Sequence, residues 1–142
     1  MFGQTSYTPP ILDDKLEVTG GLRYTIDQRS IDLFDRDAAP RTGLHDYYSF
    51  DFNFSLNYQW TEGVMSYIRI SNSYKAGGFN ARQTSPAVSL NFSPEKATAY
   101  EIGLKSEWLD HKLRANAAAF YTDYQNLQVN QYTGGFDVNL KY

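Results

Sequence analysis

Residues 51–60, DFNFSLNYQW, carry a large apolar side chain at every even position: Phe52, Phe54, Leu56, Tyr58 and Trp60. Every odd position is small or polar: Asp51, Asn53, Ser55, Asn57 and Gln59. A strict period of two is a β-strand with one dry face and one wet face. The same rhythm returns along the chain. In 16–27, Leu16, Val18, Leu22, Tyr24 and Ile26 share one face, and Glu17, Thr19, Arg23, Thr25 and Asp27 the other. In 64–74 the apolar set is Val64, Ile68, Ile70 and Tyr74, with Arg69 opposite. In 98–109 it is Tyr100, Ile102, Leu104 and Trp108, with Glu101, Lys105 and Glu107 opposite. The Ala-rich stretch 113–126 places Leu113, Ala115, Ala117, Ala119 and Tyr121 on its dry face, and 136–142 forms a short sixth strand.

What the dry faces touch is the deciding question. Mean hydropathy is −0.54, and no apolar run approaches the ~20 residues that a membrane-crossing helix needs. A membrane β-barrel escapes that test, because only alternate residues meet lipid. Aromatic residues make up 16% of the chain, with 12 Tyr and 9 Phe, and tyrosine-rich strands suit a membrane interface. The absence of cysteine excludes a disulfide scaffold and thiol chemistry. A net charge of −3 without a basic stripe argues against nucleic acid. The opening MFGQTSYTPP has neither basic flank nor apolar core, so it is not a signal peptide, and an exported protein would be represented here in mature form or as a piece.

The connections alternate as the strands do. TEG (61–63) and DH (110–111) are tight, whereas 28–50, 75–96 and about 127–135 are longer and rich in turn formers. Short turns at one end and long loops at the other is the membrane-barrel arrangement. Opposed residues must share a face. A three-residue turn at 61–63 therefore pairs Trp60 with Val64, Leu56 with Ile68 and Phe54 with Ile70, with Gly63 in a left-handed position. A two-residue turn at 110–111 pairs Trp108 with Leu113, Leu104 with Ala117, Tyr100 with Tyr121 and Glu107 with Arg114. Ten residues at about 3.3 Å rise, tilted roughly 40°, cover about 25 Å, the height of an outer-membrane apolar band. Trp60 and Trp108 fall at the short-turn end, and Tyr24, Tyr74, Tyr100 and Tyr121 toward the long-loop end, as two aromatic girdles would. The fold expected is all-β: an antiparallel up-and-down transmembrane β-barrel segment whose dry faces meet lipid and whose wet faces line a water-filled lumen.

SYKAGGFNAR (73–82) and SPEKATAYEIGLKSEWLDHKLRANAAAFYTDYQNLQV (93–129) resemble the barrel of a TonB-dependent outer-membrane receptor, and LEVTGGLRYTIDQR (16–29) resembles an earlier strand of it. The most specific stretch is Pro94–Val129, which joins a strand, a short turn and the next strand. The resemblance implies a 22-stranded barrel filled by an N-terminal plug domain. It implies location in the outer membrane of a Gram-negative bacterium, and uptake of scarce nutrients such as siderophore-iron, cobalamin or glycans, energised through TonB. The partners implied are the lipid bilayer, the protein's own plug, TonB and a small nutrient ligand. Neither a plug region nor a TonB-binding box is evident in 1–142. At about 24 residues per strand, 22 strands need roughly 500 residues, so 1–142 is read as five or six strands, about a quarter of a barrel. The ending FDVNLKY resembles an aromatic-terminated last barrel strand, but six strands cannot close. A stop inside a strand is the preferred reading.

No nucleophile elbow, P-loop or metal-ligand spacing is present, so an enzyme is not expected, nor a cofactor or metal. His45 and His111 are read as solvated. Asp32, Asp35 and Asp37 form an acidic loop that lacks the Gly and Glu of a calcium loop. Arg23, Arg69, Glu101, Lys105, Glu107 and Arg114, with Glu17, are the lumen-facing candidates. They would solvate the lumen, pair across strands or touch the plug. SYKAGGFNAR supplies the ligand-facing loop candidates Tyr74, Lys75, Phe79, Asn80 and Arg82, with Gly77-Gly78 allowing a sharp turn. A shared loop architecture is the competing explanation for that motif. Two other functions fit the alternation less well: a porin-type passive diffusion barrel, and a soluble β-sandwich that binds carbohydrate. A sandwich buries its apolar faces against each other and has no use for aromatics banded at two heights.

Overall fold

The computed structural model describes residues 1–34, 40–81, 90–133 and 136–141, with side chains described up to Val129. The strands are β1 (Phe2–Tyr7), β2 (Leu16–Leu33), β3 (Arg41–Thr61), β4 (Val64–Lys75), β5 (Gly78–Phe79), β6 (Asn91–Phe92), β7 (Glu95–Trp108), β8 (Leu113–Gln125), β9 (Gln128–Thr133) and β10 (Phe136–Lys141). Six of them form one sheet in the order β1-β2-β3-β4-β7-β8. Chain neighbours are sheet neighbours throughout, apart from the excursion carrying β5 and β6. This is the up-and-down order that alternating connections require. Two small sheets, β5-β6 and β9-β10, account for the remaining described strands, and a 3-10 turn at Leu12–Asp14 lies between β1 and β2. Among the described residues no helix is long and apolar enough to cross a membrane, which says nothing about crossing with strands.

Contacts divide the chain into two units. The first comprises Met1–Tyr24, Phe50–Ser73 and Ala97–Asp123. In it β3 and β4 pair antiparallel with Phe54 opposite Ile70 and Leu56 opposite Ile68, as face matching requires. The turn itself differs from expectation. Thr61, not Trp60, pairs with Val64, and a bulge between Gln59 and Thr61 absorbs the extra residue. Trp60 instead donates its indole N–H to Ser66 Oγ at 2.9 Å. Nor does Gly63 adopt a left-handed backbone. It is small because β7 runs against it: Glu107 N donates to Gly63 O at 2.7 Å, and a Cβ on Gly63 would lie 2.5 Å from Glu107 O.

The β7–β8 turn agrees with the two-residue reading. Asp110 and His111 have φ of 52° and 65°, and Lys112 N donates to Leu109 O at 3.2 Å. The Tyr100 and Tyr121 rings stack with centroids 6.3 Å apart. Strand β1 was not anticipated. It pairs antiparallel with β2, Phe2 opposite Arg23 and Tyr7 opposite Val18. Phe2 and Tyr7 have opposite parity, so FGQTSY shows no apolar stripe. The β3–β4 ladder ends at Asn53–Ser71, and the Asn72 side chain takes over. Its Oδ1 accepts from Phe52 N at 2.5 Å, and its Nδ2 donates to Phe50 O at 3.3 Å and Asp51 Oδ1 at 3.4 Å.

The second unit comprises Thr25–Ser49, Tyr74–Lys96 and Tyr124–Tyr142. Here 28–50 is not a long loop. Strand β2 continues to Leu33 and β3 starts at Arg41, with Gln28 Nε2 donating to Asp46 Oδ1 at 3.1 Å. Likewise 127–135 is mostly strand: β9 pairs antiparallel with β10, Gln128 opposite Lys141, rather than leaving β10 to extend the main sheet.

Burial is inverted relative to a water-soluble sheet. Along β3, Tyr47, Ser49 and Asp51 are buried, and the intervening Tyr48, Phe50, Phe52 and Phe54 are exposed. Leu22, Tyr24, Ile26, Ile68, Tyr100, Ile102, Leu104, Trp108 and Leu113, all dry-face residues, are exposed as well. Tyr47, at 4% exposure, is the one buried hydrophobic side chain among the described residues. A sheet buries its polar face and leaves its apolar face open when the apolar face meets something other than water.

Candidate functional site

The wet face of the first unit carries its charges in compensated clusters. Arg23 Nη2 lies 3.0 Å from Asp51 Oδ2, and its Nε donates to the same oxygen at 3.2 Å. Asp51 is only 4% exposed, so the fork of Arg23 and the Asn72 amide stand in for the water it has lost. These groups, with Gln4, Asn53 and Ser71, line an open cavity of about 460 Å³. Farther along, Tyr67 Oη donates to Glu101 Oε1 at 2.5 Å and Arg69 Nη2 donates to Glu101 Oε2 at 3.1 Å. Lys105 Nζ stands 5.3 Å from the Tyr67 ring centroid, within cation–π reach. At the tight-turn end Glu107 receives Arg114 Nε at 2.8 Å and lies 2.5 Å from His111 Nδ1. Glu17 is held by Asn57 Nδ2 at 2.9 Å. The six charged candidates thus fall into three groups, Arg23 with Asp51, Arg69 with Glu101 and Lys105, and Glu107 with Arg114.

Charges grouped in this way largely offset one another and present hydrogen-bonding edges. Among the described residues no cluster of three His, Cys, Asp or Glu side chains could hold a metal ion.

In the second unit residues 76–80 of the SYKAGGFNAR segment are packed down. Tyr47 Oη donates to Phe92 O at 3.2 Å, and a Cβ on Gly77 would lie 2.6 Å from the Tyr47 ring. Gly77 and Gly78 therefore serve close approach. Neither has the positive φ of a sharp glycine turn. The Phe79 ring covers Gly43, where a Cβ would meet it at 2.7 Å. Gln128 clamps the base of the excursion. Its Nε2 donates to Ala76 O and Ser93 O, both at 3.1 Å, and its backbone N donates to a Glu95 carboxylate oxygen at 2.9 Å. Lys75 is exposed, and Tyr74, Phe79 and Asn80 are half-buried. Asn80 N donates to Leu90 O at 2.7 Å. Arg82, Asp35 and Asp37 lie outside the described residues.

Sequence reading missed Tyr67, Asn72, Tyr47 and Gln128. Tyr67 was visible as an aromatic at a wet-face position. Tyr47 was hidden because 28–50 read as loop.

Residues 1–141 match the family described as TonB dependent receptor-like, beta-barrel. The chain belongs to the TonB-dependent receptor β-barrel family. Among curated relatives, the pesticin receptor of Yersinia enterocolitica (serotype O:8 / biotype 1B) is 29% identical over 121 residues, which is 83% of this chain. The pesticin receptor of Yersinia pestis matches to the same extent. The chain spans 18% of the length of each. The crystal structure of the ferric yersiniabactin uptake receptor FyuA from Yersinia pestis superposes with a TM-score of 0.76. That superposition covers 90% of this chain and 20% of that one, at 24% identity. The likeness establishes a shared TonB-dependent receptor barrel fold, and the six-stranded sheet is a part of such a barrel.

Proposed function

We propose that the chain forms part of the wall of an outer-membrane receptor that imports a scarce nutrient and is energised through TonB. One observation carries this reading: the sheet buries Ser49, Asp51 and Ser106 and leaves most of its apolar stripes exposed, in a chain whose residues 1–141 match this receptor family. A lipid bilayer is the partner such a face requires, in the outer membrane of a Gram-negative bacterium. On this reading Arg23, Arg69, Glu101, Lys105, Glu107 and Arg114 face the lumen and the plug domain of the full-length protein. Tyr74, Lys75, Phe79, Asn80 and Arg82 belong to the ligand side. Of the nutrient classes open to such receptors, a ferric siderophore is favoured by the relatives, which include a ferric yersiniabactin uptake receptor.

The test is uptake of radio-iron-labelled ferric yersiniabactin by cells that carry the full-length receptor as their sole receptor of this class. Accumulation should stop when TonB is deleted or the proton gradient is collapsed. Accumulation that survives both treatments would support a passive porin. A soluble, monodisperse full-length protein without detergent would support the β-sandwich.

A further inference from the structure

Strands β3–β4 and β7–β8 are joined by tight turns, and a tight turn sets the register of the strands it connects. Strands β4 and β7 have no such device. They are sheet neighbours, yet residues 76–94 intervene between them. A two-residue slip would keep every side chain on its face, so the dry/wet pattern alone does not forbid it. Something on the faces must therefore choose among registers.

Three contacts of the first unit report one register. Glu107 N donates to Gly63 O, Tyr67 lies over Gly103, and Arg69 bonds Glu101. Each step along β4 is matched by an equal and opposite step along β7. The middle contact is steric. A Cβ on Gly103 would overlap Cε1, Cζ and Oη of Tyr67, so the ring fills the place where a side chain would otherwise stand. The next wet-face residues on either side of Gly103 are Glu101, which accepts the Tyr67 hydroxyl, and Lys105, whose ammonium stands near the ring. A two-residue slip in either direction would drive the ring onto one of those long side chains. Gly103 carries no positive φ, so alanine there meets no backbone strain and only the ring opposes it.

We propose that Tyr67 seated on Gly103 is the key that sets the β4–β7 register, and that it aligns the Arg69–Glu101–Lys105 row on the wet face. The inference concerns assembly and does not depend on which nutrient is carried. Its readout is cross-linking, which needs no transport.

Continuing the same equal and opposite steps by one more pair sets Ser71 against Ala99. Cysteines replacing this pair in the full-length receptor report the native register, and cysteines replacing Ser73 and Ala99 report the slipped one. Assembled receptor in outer-membrane fractions is then oxidised, because a direct disulfide joins opposed cysteines about 5.5 Å apart and does not reach the diagonal neighbour at about 7–8 Å. Gly103→Ala should remove the preference for the native register, so that the 71/99 pair cross-links less, the 73/99 pair gains no more than a share of what is lost, and the assembled amount falls. Tyr67→Phe keeps the ring and should cross-link as wild type. Tyr67→Ala with Gly103→Ala removes the clash and should recover assembly relative to Gly103→Ala alone. Two results overturn the proposal. One is a Gly103→Ala receptor that assembles and cross-links as wild type. The other is a double variant no better than Gly103→Ala, since glycine would then matter for a reason unrelated to the ring.

Discussion

Glu107 and Arg114 meet across the β7–β8 turn on the wet face, with Arg114 Nε donating to Glu107 Oε1 at 2.8 Å and His111 Nδ1 on the other carboxylate oxygen. The pair is well formed, yet the Arg114 side chain is 69% exposed. Exposed ion pairs add little, because water competes for both partners and long side chains lose entropy when held. Arg114→Ala in the full-length receptor should therefore leave the denaturant midpoint within experimental error. The midpoint should be equally indifferent to added salt. A large loss would mean that this end of the wet face is drier in the whole receptor than in the sheet described.

Facing itself is testable with two residues of one strand. Ile102 belongs to the open apolar face of β7, and Lys105 to the wet face beside Tyr67. In the full-length receptor folded into bilayers, Ile102→Arg should cost about 2–4 kcal/mol, the penalty of a charge near mid-membrane. Lys105→Ala should cost under about 1 kcal/mol, its contact with the Tyr67 ring being modest. Reversible unfolding titrations give both values. A costlier Lys105→Ala would reverse the assignment of faces.

Most of this was legible from period two alone. The alternation at 51–60 predicted Phe54–Ile70 and Leu56–Ile68, and face matching across Asp110-His111 predicted the Glu107–Arg114 and Tyr100–Tyr121 contacts. What failed was local and had a physical cause. The bulge at Trp60 costs one residue of register at the turn only, so the pattern farther along does not reveal it. Strands β2 and β3 run on past the alternating stretch because strand pairing continues where a dry face is no longer demanded. Gly77 and Gly63 were read for backbone freedom, when their neighbours, Tyr47 with Phe92 and Glu107, are what require a missing side chain. Close approach is a property of two segments, and one segment's sequence does not display it.

Gly77→Ala follows from that distinction. The methyl group would meet the Tyr47 ring and the Phe92 carbonyl, and such overpacking typically costs about 1–3 kcal/mol. Amide exchange in the full-length receptor should quicken at residues 76–79 and 91–93, and stay unchanged along 53–59. Faster exchange at both would show that the excursion and the sheet unfold together.

Tyr47→Phe removes the bond to Phe92 O and should cost roughly 0.5–1.5 kcal/mol near neutral pH. Amide exchange at 91–93 should quicken in Tyr47→Phe at neutral pH, and a variant that exchanges as wild type would show that this bond adds nothing.

The isolated 142-residue chain should need detergent, because no second layer covers the apolar face among the described residues. Analytical ultracentrifugation reads this directly. A sharp, detergent-free monomer with a cooperative thermal transition would contradict the lipid-facing assignment.

Asn72 uses both ends of its amide where the β3–β4 ladder stops: oxygen toward Phe52 N, nitrogen toward Phe50 O and the Asp51 carboxylate. Hydrolysis of this amide, which takes up one water and releases ammonia, would replace the donor with an acceptor and set a second carboxylate against Asp51 and a backbone carbonyl. Asn72 is followed by Ser73, a small residue that does little to hinder that slow reaction. A carboxylate at this one position would thus turn the side chain that ties β3 to β4 beyond their last ladder pair into a charge that pushes them apart.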